Sequence, residues 1–305
     1  MEKSKNEIMK KILVTGASGF LGHYICREFA SDYQVTGTYN RFHPKTLDCE
    51  LVQIDLNNIP HLEETLSKIS PSAIIHAGAL SKPYICEEDE SLSHQINVQA
   101  SQAIAKYASP LNIPLLFTSS DQVYDGRKAP YNESSETCPM NIYGKHKLEA
   151  EVKISEAYSR ATICRLPLMF GHPEGESANF FSDIFHKLSK NETVKALDSE
   201  YRCPLSATEA AKVIRLCLEH PGELFVVAGK QRVTRVDIAR YLAAFLKKDF
   251  SLIEVHRNAG SISSYYRPAD LAANIGKLRS IGYNPPIFKE DLKNEMCILL
   301  KPDLN

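Results

Sequence analysis

The chain has 305 residues, 43% hydrophobic and 24% charged, enough to fill one large core or two coupled ones and too apolar for disorder. Its 36 basic and 37 acidic residues leave a net charge of −1, without the basic excess that nucleic-acid backbones select. No apolar run approaches the ~18 residues of a membrane span, and Met1–Lys11 lacks the apolar stretch of a signal peptide, so a cytoplasmic protein that binds no membrane is expected.

In chain order, Lys11–Gly16 is a short apolar run ending in glycine, and Phe20–Ala30 has helical spacing. Further short strands are predicted at Tyr33–Tyr39, Leu51–Asp55, Ser72–Ala77, Ile113–Ser119 and Ala161–Leu166. Between them stand helical segments such as His61–Ile69 and Ser91–Ala108. Alternating strands and helices imply an α/β fold with a doubly wound, Rossmann-type parallel sheet. Beyond Gly171 the alternation weakens. Helices are predicted at Asn179–Leu188, Ala207–Glu219 and Val236–Phe250, with loops at Arg202–Leu205 and Tyr266–Ala269. We therefore expect a cofactor domain over residues 1–171 and a smaller substrate domain over 172–305, partly crossing back to the sheet. The eight cysteines form no C-x-x-C pair and the ten histidines no H-E-x-x-H, which suits reduced thiols and no bound metal.

Gly16-Ala17-Ser18-Gly19-Phe20-Leu21-Gly22 leaves the first strand and opens the first helix. Gly16 suits the tight turn, Gly19 a close backbone approach to a pyrophosphate, and Gly22 close packing of helix on strand. About twenty residues on, an NAD-binding chain carries an acid for the ribose 2′-hydroxyl. Here the second strand ends Thr38-Tyr39-Asn40-Arg41, so Arg41 is either a ligand for a 2′-phosphate, making NADP(H) the preferred cofactor over NAD(H), or a solvated arginine.

Tyr143-Gly144-Lys145-His146-Lys147 places a phenol and an ammonium on one helix face. A charge at ~4 Å with an effective dielectric of ~20 is worth roughly 4 kcal/mol, which would bring a phenol from ~10 toward neutral pH. His146, between them, is expected to be exposed. Ser119-Ser120-Asp121 follow the fifth strand at its carboxyl end, where parallel sheets bind ligands.

With the glycine triplet, the strand-five serine and Y-x-x-x-K in this order, the sequence resembles the extended short-chain dehydrogenase/reductases. Asp55-Leu56 is similar to that family's adenine-contacting pair, Ala77-Gly78-Ala79 to its turn after strand four, and Asn97 to its helix-four asparagine. Ser119 to Gly126, Pro130 to Glu133, Pro139 to Lys147, Arg165 to Pro167 and Tyr266 to Leu271 resemble the dTDP-4-dehydrorhamnose reductase branch most. The resemblance implies Ser120, Tyr143 and Lys147 as catalytic residues. It also implies a dinucleotide held by Gly16, Ser18, Gly19, Phe20, Leu21, Gly22, Asn40, Arg41, Asp55, Leu56, Ala77, Gly78, Ala79, Asn97, Ser119, Tyr143, Lys147 and Leu166. A homodimer is a family-level expectation. The branch carries tyrosine where Gln122 stands and glutamine where Phe20 stands, and a 4,6-dehydratase would carry a glutamate at Gln122. Three functions follow: a reductase of a 4-keto nucleotide sugar, an epimerase or dehydratase, or a non-catalytic NADP-binding regulator like that of methionine adenosyltransferase.

Other residues keep two readings. Arg202 and Arg267 are either diphosphate ligands of a nucleotide sugar or solvated loop arginines. Asn179 is a substrate contact or an N-cap, and Asp121 orients Tyr143 or the sugar, or caps a turn. Cys86 and Cys164 read as small core residues, and Glu87 to Glu90 as an acidic helix start.

Overall fold

A computed structural model describes residues 9–172, 179–257 and 266–299, so parts of the expected 172–305 domain lie outside the described residues. The first half runs β1 (Lys11–Thr15), α1 (Phe20–Phe29), β2 (Gln34–Tyr39), β3 (Glu50–Gln53), α2 (Ile59–Ile69) and β4 (Ala73–His76). It continues with α3 (Pro83–Glu88), α4 (Glu90–His94), α5 (Ala100–Leu111), β5 (Leu115–Ser120), α6 (Ile142–Ala157) and β6 (Thr162–Leu166). The strands read as unbroken apolar runs because helices cover both faces: Ile12, Leu13 and Val14 of β1 are all fully buried. On one face Leu21, Ile25 and Phe29 of α1 join the core; on the other, Leu62 and Leu66 of α2 meet Ile104 of α5 and Ile154 of α6.

After β6 come β7 (Met169–Phe170), α7 (Phe180–Ser189), β8 (Val194–Leu197), β9 (Tyr201–Arg202), β10 (Leu205–Ser206) and α8 (Ala207–Leu218). Then follow β11 (Leu224–Val226), β12 (Val233–Thr234), α9 (Arg235–Phe245), β13 (Ile253–His256), α10 (Gly276–Ser280) and α11 (Phe288–Leu299). Strand β11 returns to the main sheet and pairs in parallel with β6, giving the order β11-β6-β5-β4-β1-β2-β3. Helices α7, α9 and α11 enclose a separate apolar cluster around Phe170, Phe181, Leu242 and Met296. The order reverses between β1 and β4, which opens a crevice at their carboxyl ends.

Three local expectations are corrected. Ser91–Ala108 is not one helix: a π-helical turn, Gln95–Gln99, separates α4 from α5. Within that wide turn the Asn97 amide accepts from Leu80 N at 2.9 Å and donates to Leu80 O at 3.1 Å, tying it to the β4–α3 connection. Arg202–Leu205 is not all loop, because β9 pairs with β12 and β10 with β7, partners about 30 residues away that no local pattern reveals. Helix α9 ends at Phe245, short of Phe250, and Lys247 adopts the left-handed region at φ 54°.

Candidate active site

A cavity of about 610 Å³ lies at the carboxyl ends of the central strands. Gly16, Ser18, Gly19, Phe20, Leu21 and Gly22 line it from the β1–α1 turn. Asn40, Arg41, Asp55 and Leu56 line its β2–β3 side, and Ala77, Gly78 and Ala79 its β4 side. Ser119, Ser120, Tyr143, Lys147 and Leu166 close the β5–β6 side. Asn97 stands behind the wall through its two bonds to Leu80.

The β1–α1 turn depends on its glycines. Gly16 has φ +72°, and a Cβ there would stand 2.6 Å from Gly78 Cα. A Cβ on Gly22 would stand 2.0 Å from Gly16 O, so α1 could not approach β1 as it does. Gly19 N-caps α1 without a side-chain bond, and no acid occupies the first turn. The N-terminal N–H groups are therefore left to an anion, which fits a dinucleotide pyrophosphate. Gly22→Ala is expected to lower stability by about 1–3 kcal/mol and to weaken dinucleotide binding, checked by urea unfolding and calorimetry. Thr38, absent from the sequence expectation, accepts from Gly16 N at 3.1 Å and braces the same turn.

Helix α6 carries Tyr143 and Lys147 into the cavity. Asn141 caps it, accepting from Gly144 N at 2.8 Å, and Glu87 accepts from Ile142 N at 2.8 Å. Glu87 thus lies in the last turn of α3 and holds the start of α6, while Asp89 caps α4, a finer division than one acidic helix start. Cys86 and Cys164 are fully buried.

The expected lowering of the phenol is overturned. Burial pushes the Tyr143 hydroxyl above its ordinary value, Cys86 and Asp121 add to this, and the hydrogen bond with Ser120 works against it. The Lys147 ammonium is turned elsewhere, donating to Thr118 O at 2.8 Å and lying 4.5 Å above the Phe117 ring. Burial pulls Lys147 down to about 7, opposed by Glu151 and Cys86. Burial, with the Lys147 charge, also holds His76 near 3, so its ring stays neutral. His76 bonds Thr15 Oγ1 at 2.6 Å and Ser101 Oγ at 2.9 Å, tying strand to helix beneath the cavity. His146 is buried rather than exposed, because α3 and α4 pack on α6 and its Nδ1 meets Ser93 Oγ at 2.8 Å.

Asp121 follows Ser120 and is buried; burial raises its carboxyl to about 6, against Arg202, Ser120 and Arg235. Ser120 Oγ donates to its Oδ1 at 3.4 Å, and its Oδ2 is left without a hydrogen-bond partner among the described residues. Arg202 and Arg267 are not solvated loop residues. Arg202 donates to Tyr201 O at 2.7 Å and Pro268 O at 2.8 Å, and Arg267 donates through both Nε and Nη2 to Glu200. Arg235, which the sequence reading passed over, reaches Glu200 at 3.3 Å. Burial alone would raise the Glu200 carboxyl; Arg235, Arg267 and Arg202 hold it below its ordinary value instead. Three guanidinium groups around one carboxylate leave positive charge beside Asp121. Asn179 caps α7, accepting from Ser182 N at 2.9 Å, and does not line the cavity. No group of three or more potential metal ligands occurs among the described residues.

Comparison with known proteins adds to this geometry. The chain is 27% identical over 298 residues to the methionine adenosyltransferase 2 subunit beta of Danio rerio, covering 94% of this chain and 90% of the relative. It superposes with TM-score 0.83 on dTDP-4-dehydrorhamnose reductase from Bacillus anthracis in complex with NADP, at 19% identity, covering 95% of this chain and 100% of the other. A hypothetical dTDP-4-dehydrorhamnose reductase from Sulfolobus tokodaii aligns with TM-score 0.81 and 25% identity, covering 92% of this chain and 98% of the other. The model of the RmlD substrate binding domain matches residues 9–299. The chain belongs to that family, the dTDP-4-dehydrorhamnose reductase branch of the extended short-chain dehydrogenase/reductases.

Proposed function

We propose that the protein is an NADPH-dependent reductase of a 4-keto nucleotide sugar. The observation that carries this reading is that Ser120, Tyr143 and Lys147 line the same cavity as the glycine turn and Arg41. Residues 1–171 then supply most of the cofactor cleft and residues 172–305 most of the substrate side. NADP(H) would lie with its pyrophosphate at the α1 N-terminus and its 2′-phosphate at Arg41. The bound nicotinamide supplies the hydride. Tyr143 donates the proton that the developing alkoxide requires, and Ser120 provides a second hydrogen bond to the same oxygen. Lys147 holds the ribose. Arg202, Arg235 and Arg267 do not line the cavity itself, but the positive charge they leave around Glu200 would suit the nucleotide diphosphate of a substrate extending beyond it. Dehydration is disfavoured because Gln122 cannot exchange a proton, and its Oε1 already accepts from Asn141 at 2.8 Å.

A second reading, a non-catalytic NADP-binding regulator, draws on the similarity to the methionine adenosyltransferase 2 subunit beta of Danio rerio over 90% of its length. Following NADPH absorbance with a panel of 4-keto nucleotide sugars separates the two: the reductase oxidises cofactor with one of them, and the regulator with none. For the cofactor itself, Arg41→Ala is expected to weaken NADPH about tenfold or more and leave NADH unchanged, since a charge-assisted pair is worth ~1.5–3 kcal/mol. Calorimetry with both dinucleotides checks it; an NADH preference that survives the substitution would remove Arg41 from the site.

A further inference from the structure

We propose that Glu151 is a positioning residue for Lys147, a fixed buried carboxylate whose counter-charge keeps the lysine protonated inside the cleft. Both side chains are buried on α6, one helical turn apart and on one face. They grip consecutive residues of β5. Lys147 Nζ donates to Thr118 O at 2.8 Å, and Glu151 Oε1 accepts from Ser119 Oγ at 2.5 Å.

Arg165 closes the other side of the carboxylate. It stands opposite Ser119 in the β5–β6 register, and donates from Nε to Oε1 at 3.0 Å and from Nη2 to Oε2 at 2.6 Å. Its Nη1 donates to the Tyr124 hydroxyl at 2.8 Å, which in turn donates to Asn132 O at 2.9 Å. A carboxylate held by this many donors neither rotates away nor takes up a proton easily, so its charge is fixed in place.

The other groups around Lys147 supply no carboxylate. From β4 comes His76, neutral in its bonds to Thr15 and Ser101. From β5 come the Thr118 carbonyl and the Phe117 ring, from α3 the Cys86 thiol raised by burial, and from α6 the Tyr143 hydroxyl, also raised by burial. Glu151 is the carboxylate that acts on the ammonium, and it works against the burial that brings Lys147 down to about 7. Lys147 therefore stands close to losing its charge at physiological pH, and Glu151 opposes that loss more than Cys86 does. The consequence for cofactor binding rests on the reading of the cleft given above; the placement of Glu151 one turn beyond Lys147 on α6 does not.

The test is an NMR titration of the full chain carrying 13Cε-labelled lysine, with no dinucleotide added. Glu151→Gln is expected to move the Lys147 midpoint down by about one pH unit or more, and Glu151→Asp to restore most of it. NADPH affinity should then fall about tenfold at about pH 7.5 and recover at about pH 5.5. An unchanged midpoint overturns the proposal, as does an equal loss of affinity at every pH, which is what a purely structural role would give. Should the lone Arg165 charge prevent folding, Glu151→Gln with Arg165→Met removes both charges together. There too a lowered midpoint supports the proposal and an unchanged one overturns it. A protein that titrates as expected yet binds no dinucleotide refutes the cofactor reading and leaves the role of Glu151 standing.

Discussion

Tyr143→Phe is expected to lower kcat for a 4-keto nucleotide sugar by about 10²–10⁴-fold while NADPH affinity stays within about threefold of wild type. The phenol lies in the cavity beside Ser120, and burial raises it, so it keeps its proton throughout the physiological range. A group in that state serves as an acid once negative charge appears on the carbonyl oxygen, and a poor base before then. Reduction should therefore be favoured over the reverse oxidation near neutral pH. Removing the hydroxyl leaves Ser120 as the remaining donor, which accounts for a loss of several decades rather than complete inactivity. Steady-state rates and calorimetric affinities on the same preparations measure the split. An undiminished kcat would show that Tyr143 is not the acid.

Lys147→Met is expected to abolish most turnover, to weaken NADPH about tenfold or more, and to make the protein harder to unfold near neutral pH. Burial brings the lysine from its ordinary 10.5 to about 7, so the fold carries this charge at a cost of several kcal/mol. Methionine fills a similar volume without the charge. Against that gain stands the lost donor to Thr118 O, worth ~1–3 kcal/mol, which is the smaller quantity. The sign with pH follows from the depressed value. Between about 7 and 10.5 the unfolded chain binds more protons than the folded one, so wild-type stability rises with pH across that window. Below about 7 the penalty is full and constant. The advantage of the methionine variant should thus be largest below pH 7 and vanish toward pH 10.5, as urea unfolding across that range would show. A variant less stable than wild type at every pH would mean that the lysine contributes packing and hydrogen bonding worth more than its desolvation.

The two variants separate the functional readings. A regulator that binds NADP without turnover shows no kcat to lose with Tyr143→Phe, yet still loses cofactor with Lys147→Met. A reductase shows both effects. The shared cavity makes this pairing informative, because the phenol and the ammonium line the same cavity through different atoms.

The sequence by itself determined whatever depends on neighbours a few positions apart. Alternating short apolar runs and helical segments specify a parallel sheet, and β1 to β6 stand within a few residues of their expected places. Gly16, Gly19 and Gly22 are legible because a turn into a helix constrains three nearby positions. Tyr143 and Lys147 are legible because one helical turn separates them. Glu151 stands at the same spacing beyond Lys147, so Y-x-x-x-K-x-x-x-E would have pointed to it.

Only the tertiary structure decided the rest, since those properties depend on burial and on partners distant in the chain. Proximity along α6 suggested that Lys147 would lower Tyr143. Enclosure by β5, α3 and α4 reversed this, because removing water costs the charged form of each group more than their neighbourhood returns. The same enclosure buried His146. Arg202, Arg235 and Arg267 look unrelated in sequence, and Glu200 gathers them because β9, α9 and the segment before Asp270, which bridges β9 at Tyr201, converge on it. A one-dimensional pattern records spacing; it does not record which charges lose their water together, and that loss decides the chemistry of this cleft.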